Sequence, residues 1–349
     1  MRTALLAAAA ALALTLPLAA QEAGKPAAPA PSEIVAAAPK ADWAAIPAED
    51  LLVMTLAPDA DGKPRQVVIQ LMPAPFSQGW VHNIRLFARA KWYDGISVNR
   101  VQDNYVTQWG DPNYDNPEAT GKPKPLPEGL KVMGEAEYTV DYLASIEGGV
   151  EVPFEEEDPF FETQCASGGY MGRDGNFVEL ERNCFEVEKW PPASSFGWGF
   201  PIAHNARRAW PTHCYGMVGV GRNYSPDTGS GAELYTVIGH APRHLDRNIA
   251  LVGRVIEGME HLSSLPRGSG ALGFYTAEEA AKRTPILSVR VASDLPAGEQ
   301  PKFEYLSTES ATFATYAEAI ANRRDPFFIV PAGGADICNI KVPVRRVAP

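Results

Sequence analysis

The order of apolar and polar positions divides the chain into short β-rich runs and a few helical stretches. Alternating apolar side chains are typical of half-buried strands, whereas apolar residues spaced at about three and four are typical of helices. An Asp-Gly pair at residues 61–62 separates the first two β-rich runs and favours a hairpin there. The predicted strands are residues 51–56, 66–71, two runs within 98–111 on either side of a polar break at 102–104, 215–220, 233–238, 249–255 and 286–295. The predicted helices begin near Trp80, Glu257 and Thr312.

This order of elements indicates the fold class. Two strands, a helix, several strands, a second helix and a last strand follow one another in the central part of the chain. Pro and Gly number 31 and 30, which favours many turns and short strands over long helices. Many short strands with only two core helices predict a mainly β protein, built as a closed antiparallel barrel that the two helices cap.

The N-terminus has the pattern of a secretory signal peptide over residues 1–20. Arg2 gives a short positive start, residues 4–16 are apolar, and Ala19 and Ala20 form a small-residue end. A membrane anchor is less favoured, because the apolar run is shorter than the ~20 residues that a transmembrane helix needs. We therefore expect cleavage after Ala20, export to the periplasm or secretion, and no membrane span after cleavage.

Three further segments flank or interrupt the predicted barrel domain, which spans residues 49–296. Residues 21–48 are rich in Ala and Pro and predict a flexible linker. Residues 113–211 are rich in Pro, Gly and acidic residues and predict a long, loop-rich insertion. Its acidic run 155–158 is more typical of a solvated loop than of a calcium site, because the spacing and the glycine of an EF-hand are missing. Residues 297–349 are a C-terminal extension with the last predicted helix.

The four cysteines, Cys165, Cys184, Cys214 and Cys338, suggest disulfides, because the thiols of an exported protein meet an oxidising compartment. Three pairings are possible. The first two cysteines bracket one Gly-rich segment, so we favour Cys165–Cys184 and Cys214–Cys338. A zinc site is less favoured, because the sequence has no Cys-x-x-Cys and only His213 adjoins a cysteine. No metal or other cofactor is expected.

Charge and motifs argue against several classes of function. The net charge is -11 and no basic cluster stands out, which argues against nucleic-acid binding. The sequence has no G-x-S-x-G, H-E-x-x-H or Walker motif, and GVGRNY lacks the third glycine of a dinucleotide-binding loop. His240 and His244 have a proline between them and are expected to be loop residues rather than metal ligands. We therefore expect any reaction to need no acid–base group, metal or covalent intermediate.

Isomerisation of prolyl peptide bonds is such a reaction. Its barrier of roughly 18–20 kcal/mol comes from amide resonance. A pocket for the proline ring, donors for the flanking carbonyls and a donor aimed at the prolyl nitrogen can lower that barrier by electrostatic preorganisation. Residues 98–111 carry Arg100, Tyr105 and Gln108 on two predicted strands, and these side chains supply an arginine, an aromatic ring and an amide.

Two ordered blocks of the sequence resemble the cyclophilin family of peptidyl-prolyl isomerases. Residues 80–111, WVHNIRLFARAKWYDGISVNRVQDNYVTQWGD, resemble its first signature block, with a helix, a Tyr-Asp-Gly turn and the strand that carries the catalytic arginine. The segments GMVGVGR and GAELYTVIGHAPRHLDRNIALVGRVIEGME resemble its second half. The resemblance implies an eight-stranded barrel with a helix at each end, a proline-binding groove on its outer face, and no cofactor.

The resemblance also assigns roles by position. It implies that Arg100 donates to the prolyl nitrogen and that Gln108 holds the carbonyl before the proline. It implies that Tyr105 and Tyr235 wall the pocket for the proline ring. The other implied substrate-binding residues are Val106, Arg222, Glu233, Leu234, His244 and Leu245.

Several positions depart from the family pattern. Asn99 replaces the usual His before the arginine, and Trp109 replaces the first Gly after the glutamine. Glu233 replaces a Gln and can only accept hydrogen bonds at neutral pH. Ile249 lies where many members have a groove histidine, and His244 lies where Trp or Phe is common, so a cyclosporin-type ligand is expected to bind poorly. These departures concern turnover and ligand binding more than the fold.

The leading hypothesis is an exported prolyl isomerase that acts on Pro-containing, unfolded or extended polypeptides, since slow X-Pro isomerisation limits folding. The alternative is a catalytically weak cyclophilin-like module that binds Pro-containing peptides or a fixed envelope partner. Asn99, Glu233 and the long insertion favour that alternative. A third possibility is a structural envelope protein without a peptide groove.

Overall fold

The structure, a computed structural model, describes residues 28–114, 119–141, 161–166, 169–171, 177–179, 183–188, 193–205 and 207–347, and between 161 and 188 it describes the backbone alone. The predicted signal peptide and the acidic run 155–158 lie outside these residues. Within the described ranges, no helix has the length and apolar character needed to cross a bilayer.

The first third of the chain forms the predicted hairpin and the helix after it. Its elements are α1 (Pro31–Ala36), β1 (Trp43–Ile46), β2 (Leu51–Leu56), β3 (Arg65–Leu71), α2 (Gln78–Arg89), β4 (Ser97–Val101) and β5 (Val106–Gly110). β2 and β3 pair antiparallel, which confirms the hairpin at the Asp-Gly turn. α2 buries Trp80, Val81, Ile84 and Phe87 completely, because their spacing puts them on one face of the helix.

The insertion contains strands that the sequence pattern did not predict. They are β6 (Val140–Asp141), β7 (Phe161–Ala166), β8 (Gly169–Met171), β9 (Phe177–Glu179), β10 (Asn183–Glu188), β11 (Ala193–Gly197), β12 (Phe200–His204) and β13 (Arg208–Pro211). A four-stranded sheet has the order β11-β12-β13-β6. β7 and β10 pair antiparallel with Cys165 directly opposite Cys184 in the backbone register. Their side chains are outside the described atoms, so the Cys165–Cys184 disulfide stays a prediction.

The second half completes the barrel and adds the C-terminal extension. Its elements are β14 (Met217–Val220), β15 (Leu234–Val237), β16 (Leu251–Glu257), α3 (Glu260–Ser263), β17 (Ile286–Val291), β18 (Phe303–Leu306), α4 (Ala311–Ala321) and β19 (Val344–Arg346). The predicted second helix is only the short α3, because β16 continues to Glu257. The predicted last strand of the barrel ends at Val291 rather than at residue 295.

Eight antiparallel strands form the barrel, in the order β17-β2-β3-β16-β14-β15-β5-β4. Backbone hydrogen bonds bring the two edges of this sheet together: Val98 donates to Thr284 O at 2.9 Å, and Ile286 donates to Ile96 O at 2.8 Å. The sheet therefore forms a nearly closed barrel. The predicted mainly β fold, an eight-stranded antiparallel barrel, is confirmed.

Residues 31–46, before the barrel, contain α1 and β1. β1 pairs antiparallel with β18, and β18 pairs with β19 on its other side. Trp43 is buried in an apolar cluster with Leu306 and Phe313 of the extension. The expected flexible linker over residues 21–48 is therefore wrong for residues 31–46, because its few apolar side chains find partners in the C-terminal extension.

A disulfide between Cys214 and Cys338 joins the extension to the barrel, just before β14. Their Cα atoms are 5.0 Å apart, and 124 residues of sequence separate them. The favoured pairing of these two cysteines is confirmed. A cross-link over so long a segment restricts the unfolded chain strongly.

We expect the double variant Cys214→Ser/Cys338→Ser to lose about 2–4 kcal/mol of unfolding free energy, because the unfolded chain regains the freedom that the cross-link removes. Urea denaturation of the oxidised wild type and of the variant measures this difference. The predicted disulfide Cys165–Cys184 would close a much shorter loop, so Cys165→Ser/Cys184→Ser is the matched control and should cost less. An unchanged urea midpoint for Cys214→Ser/Cys338→Ser would contradict the expected stabilisation.

Candidate active-site groove

A groove of about 760 Å³ opens on the outer face of the barrel along β4, β5 and β15. Most of the residues that the sequence predicts for the site line this groove. They are Arg100, Tyr105, Val106, Gln108, Arg222, Glu233, Tyr235 and Leu245. Residues from two different blocks of the sequence thus meet at one surface, as the resemblance implied.

Strand alternation decides which predicted residues reach the groove. In β5, Val106 and Gln108 face the groove, whereas Trp109 is buried in the barrel interior. In β15, Tyr235 faces the groove and Leu234 is buried in the interior. The prediction that Leu234 lines the groove is therefore wrong in its placement, because successive side chains of a strand point to opposite faces.

His244 is also not among the residues that line the groove. Its side chain is exposed, and its ring lies parallel to the ring of Tyr105 with 6.4 Å between the ring centroids. His244 therefore lies at the rim beside Tyr105, while Leu245 and Ile249 line the groove itself. Arg222 donates to the backbone oxygens of Asn248 and Asn223 and so holds the loop after β14 in place.

A β-bulge at Asn99 aims Arg100 at the groove. Val98 pairs with Trp109 and Arg100 pairs with Gln108, so Asn99 is the extra residue between them. Asn99 is buried; its Nδ2 donates to Gly110 O at 3.0 Å, and its Oδ1 accepts from the hydroxyl of Ser97 at 2.7 Å. The side chain that departs from the family pattern thus joins β4 to β5, and Asn99 is not among the described residues that line the groove.

Arg100 is fixed by three acceptors of the chain itself. Its Nη1 donates to Gln108 Oε1 at 3.1 Å, and its Nη2 donates to the amide oxygen of Gln102. Its Nε donates to Leu272 O at 2.6 Å. Since a guanidinium has five N–H donors, two remain for a ligand. Burial lowers the pKa of Arg100 from its usual value, but the guanidinium remains a cation in proteins.

Gln108 continues this polar chain to Glu233. The Nε2 of Gln108 donates to Glu233 Oε2 at 3.4 Å, while its Oε1 accepts from Arg100. These two contacts orient the amide and leave one N–H of Gln108 for a peptide carbonyl. Gly110 allows the close approach of Glu233, because a Cβ at Gly110 would lie 1.9 Å from the carboxylate oxygen.

An apolar pocket adjoins Arg100. Val106, Tyr235 and Val237 form a buried apolar cluster, and Tyr105 and Ile249 pack against it. All of these residues except Val237 line the groove. The ring of Tyr105 lies 5.7 Å from the guanidinium carbon of Arg100. A pocket of this kind accepts a small apolar ring next to a cation.

A buried polar pair anchors Tyr235 from behind. The Tyr235 hydroxyl lies 2.9 Å from His213 Nε2, and His213 Nδ1 lies 2.9 Å from Asp246 Oδ1. Because the Asp246 carboxylate can only accept, His213 donates through Nδ1, and its Nε2 accepts a hydrogen bond from the Tyr235 hydroxyl. Gly219 leaves room for the hydroxyl, since a Cβ there would lie 2.3 Å from it. No role of His213 in the site was predicted from the sequence, in which it stands out only as the histidine next to Cys214.

The loop after α3 adds two groove residues that sequence reasoning missed, Leu272 and Phe274. The ring of Phe274 lies 5.4 Å from the guanidinium carbon of Arg100. Gly273 lets this loop approach β4, because a Cβ there would lie 2.7 Å from the Cα of Gln102. The closely spaced glycines of GSGALGF, residues 268–274, were the available signal for such a contact.

We expect stability to fall as the pH drops below about 6.5, because burial lowers the pKa of His213 more than Asp246 raises it. The unfolded chain then binds a proton that the folded protein excludes. Urea denaturation at about pH 7.5 and about pH 5.5 measures the loss. The variant His213→Gln should lose less stability over this range, whereas the exposed control His240→Gln should behave as wild type. Equal pH dependence in His213→Gln and wild type would contradict this account.

Comparisons with known proteins agree with this geometry. The sequence matches the family described as cyclophilin type peptidyl-prolyl cis-trans isomerase/CLD over residues 65–291, more than half of the chain. The fold is similar to the crystal structure of cyclophilin AquaCyp293 from Hirschia baltica, with a TM-score of 0.55 and 18% sequence identity, over 87% of this chain and 93% of that chain. No curated protein matches the sequence significantly. The family match and the barrel with its groove show that the chain belongs to the cyclophilin-type peptidyl-prolyl cis-trans isomerases.

Proposed function

We propose that this isomerase acts on the X-Pro bonds of exported polypeptides while they fold, and that Arg100 is its principal catalytic group. The observation that carries the proposal is the position of Arg100. Its guanidinium lies beside an apolar pocket and is held there by Gln108, Gln102 and Leu272. A cation fixed next to a ring-sized pocket is what isomerisation without acid–base chemistry requires.

The mechanism follows from the energy barrier to rotation about the prolyl peptide bond. Amide resonance must be broken while the prolyl bond twists, and the nitrogen lone pair then becomes available as an acceptor. An N–H of Arg100 that donates to this nitrogen stabilises the twisted state more than either planar isomer. Only such differential stabilisation accelerates the reaction. Because Arg100 is already oriented by its three acceptors, little reorganisation is needed when the substrate twists.

The pocket and the amide of Gln108 hold the two sides of the twisting bond. The proline ring would lie against Val106 and Tyr235, with Tyr105 and Ile249 at its edges. The free N–H of Gln108 would donate to the carbonyl before the proline. Glu233 supports this role, because its contact with Gln108 Nε2 directs the amide nitrogen rather than the oxygen along the groove.

Export is the second part of the proposal. The N-terminal 20 residues have the pattern of a signal peptide, and the chain carries a long-range disulfide. Proteins that cross a membrane unfolded must fold on the far side, where X-Pro isomerisation takes seconds to minutes without a catalyst. These features support a periplasmic or secreted folding catalyst.

One observation favours a second candidate, a peptide-binding module with weak catalysis. The Nε of Arg100 is engaged by Leu272 O, and its Nη2 is engaged by Gln102. If these contacts persist when a peptide binds, Arg100 reaches the prolyl nitrogen less freely. The protein would then bind the peptide but catalyse its isomerisation only slowly.

We expect Arg100→Ala to lower the catalysed exchange rate roughly 100- to 1,000-fold, because the donor to the prolyl nitrogen is lost. Exchange NMR on an Ala-Pro peptide with mature protein measures the cis–trans rate. Arg324→Ala, at an exposed position in the C-terminal extension, is the matched control and should keep the wild-type rate. Equal exchange rates for wild type and Arg100→Ala would overturn the catalytic role. Peptide shift changes without faster exchange would select the binding module.

A further inference from the structure

A second cavity of about 270 Å³ lies between the barrel and the C-terminal extension. None of the described residues that line it lines the groove. The Cys214–Cys338 disulfide forms part of its wall. Apolar side chains make up most of the remaining wall, among them Met217, Ile256, Met259, Ile340 and Val342. The extension therefore lines a mainly apolar cavity together with β14 and β16.

Arg254 of β16 lines this cavity as a buried cation. Its side chain donates through Nε to Gln70 Oε1 at 2.9 Å, and its guanidinium lies 4.7 Å from the ring centroid of Phe200 in the insertion. Nη2 is buried and has no hydrogen-bond partner among the described residues. Burial lowers the pKa of Arg254 to about 10. A buried cation without a counter-charge is costly, so an anion beside it would be stabilised.

The other charge on the wall has the same sign. Lys341 lines the cavity, is exposed, and lies with its ammonium 5.3 Å from the ring centroid of Tyr215. Among the described residues of the lining, none is acidic. The cavity thus combines apolar walls with two cations, and no carboxylate of the wall neutralises them.

We propose that this cavity binds a small aliphatic carboxylate. The carboxylate lies beside the guanidinium of Arg254, accepts a hydrogen bond from it and neutralises its charge. The alkyl chain lies against Met217, Met259 and Ile340. The volume is slightly below the ~300–1,000 Å³ of sites for drug-sized ligands, which favours a short chain.

Three small ligands separate the contribution of the negative charge from that of the alkyl chain: hexanoate, 1-hexanol and acetate. We expect hexanoate to bind the oxidised, full mature chain at least about tenfold more tightly than hexanol, which lacks the charge, or acetate, which lacks the chain. Titrations followed by methyl NMR of labelled methionines measure the affinities and locate the ligand. The methyl groups of Met217 and Met259 should shift, and that of Met54, in the barrel interior, should not.

The variant Arg254→Met tests the cation directly. It removes the charge and leaves a shorter, unbranched apolar side chain, and replacing buried charges by apolar side chains is often neutral for stability. We expect it to bind hexanoate about tenfold more weakly and hexanol as well as wild type does, while Arg324→Met should match wild type for both.

Equal affinities of the wild type for hexanoate and hexanol would overturn the proposal, and so would hexanoate shifts that spare Met217 and Met259. Undiminished hexanoate binding by Arg254→Met would overturn it as well. The comparison of hexanoate with hexanol uses wild-type protein, so it decides the question even if Arg254→Met does not fold. Isomerase activity enters none of these measurements, so the proposal stands or falls separately from the proposed function.

Discussion

Backbone hydrogen bonds between residues 95–98 and residues 284–286 join the two edges of the eight-stranded sheet. Because each strand of a nearly closed sheet is paired on both sides, its register cannot slip without breaking both pairings. Side chains alternate between the interior and the outer face along every strand. Closure therefore decides which side chains form the groove, and it places Arg100 and Gln108 outside while Trp109 and Leu234 fill the interior.

Two polar arrangements hold the groove from beneath. One runs from Arg100 through Gln108 to Glu233 and ties three neighbouring parts of the barrel together. The other runs from Asp246 through His213 to the hydroxyl of Tyr235. The first orients the donors and the second fixes the aromatic wall, so the site is organised before any peptide binds.

The segments outside the barrel cover part of the barrel surface on a side other than that of the groove. The N-terminal strand β1, the extension and the insertion cover parts of the sheet that a bare barrel would leave open. They bury Arg254 and form a cavity beside it that shares no described lining residue with the groove. The same fold thus presents two separate concave sites.

The sequence predicted the barrel, the helix α2 and most groove residues, because short-range periodicity and two motif blocks carry that information. Leu234 was placed wrongly because the resemblance named two successive residues of one strand, and only one of them can face outward. Phe274 was missed because its contact with Arg100 depends on how a Gly-rich loop folds back onto β4. The strand β1 was missed because its partner β18 lies far along the chain, where no local pattern signals the pairing.

A crystal structure with a bound Ala-Pro peptide would show whether Arg100 reaches the prolyl nitrogen. We expect the proline ring to lie against Val106 and Tyr235. We also expect a terminal nitrogen of Arg100 within about 3.5 Å of the prolyl nitrogen. A proline ring bound elsewhere on the protein, or in the pocket but out of reach of Arg100, would contradict this expectation.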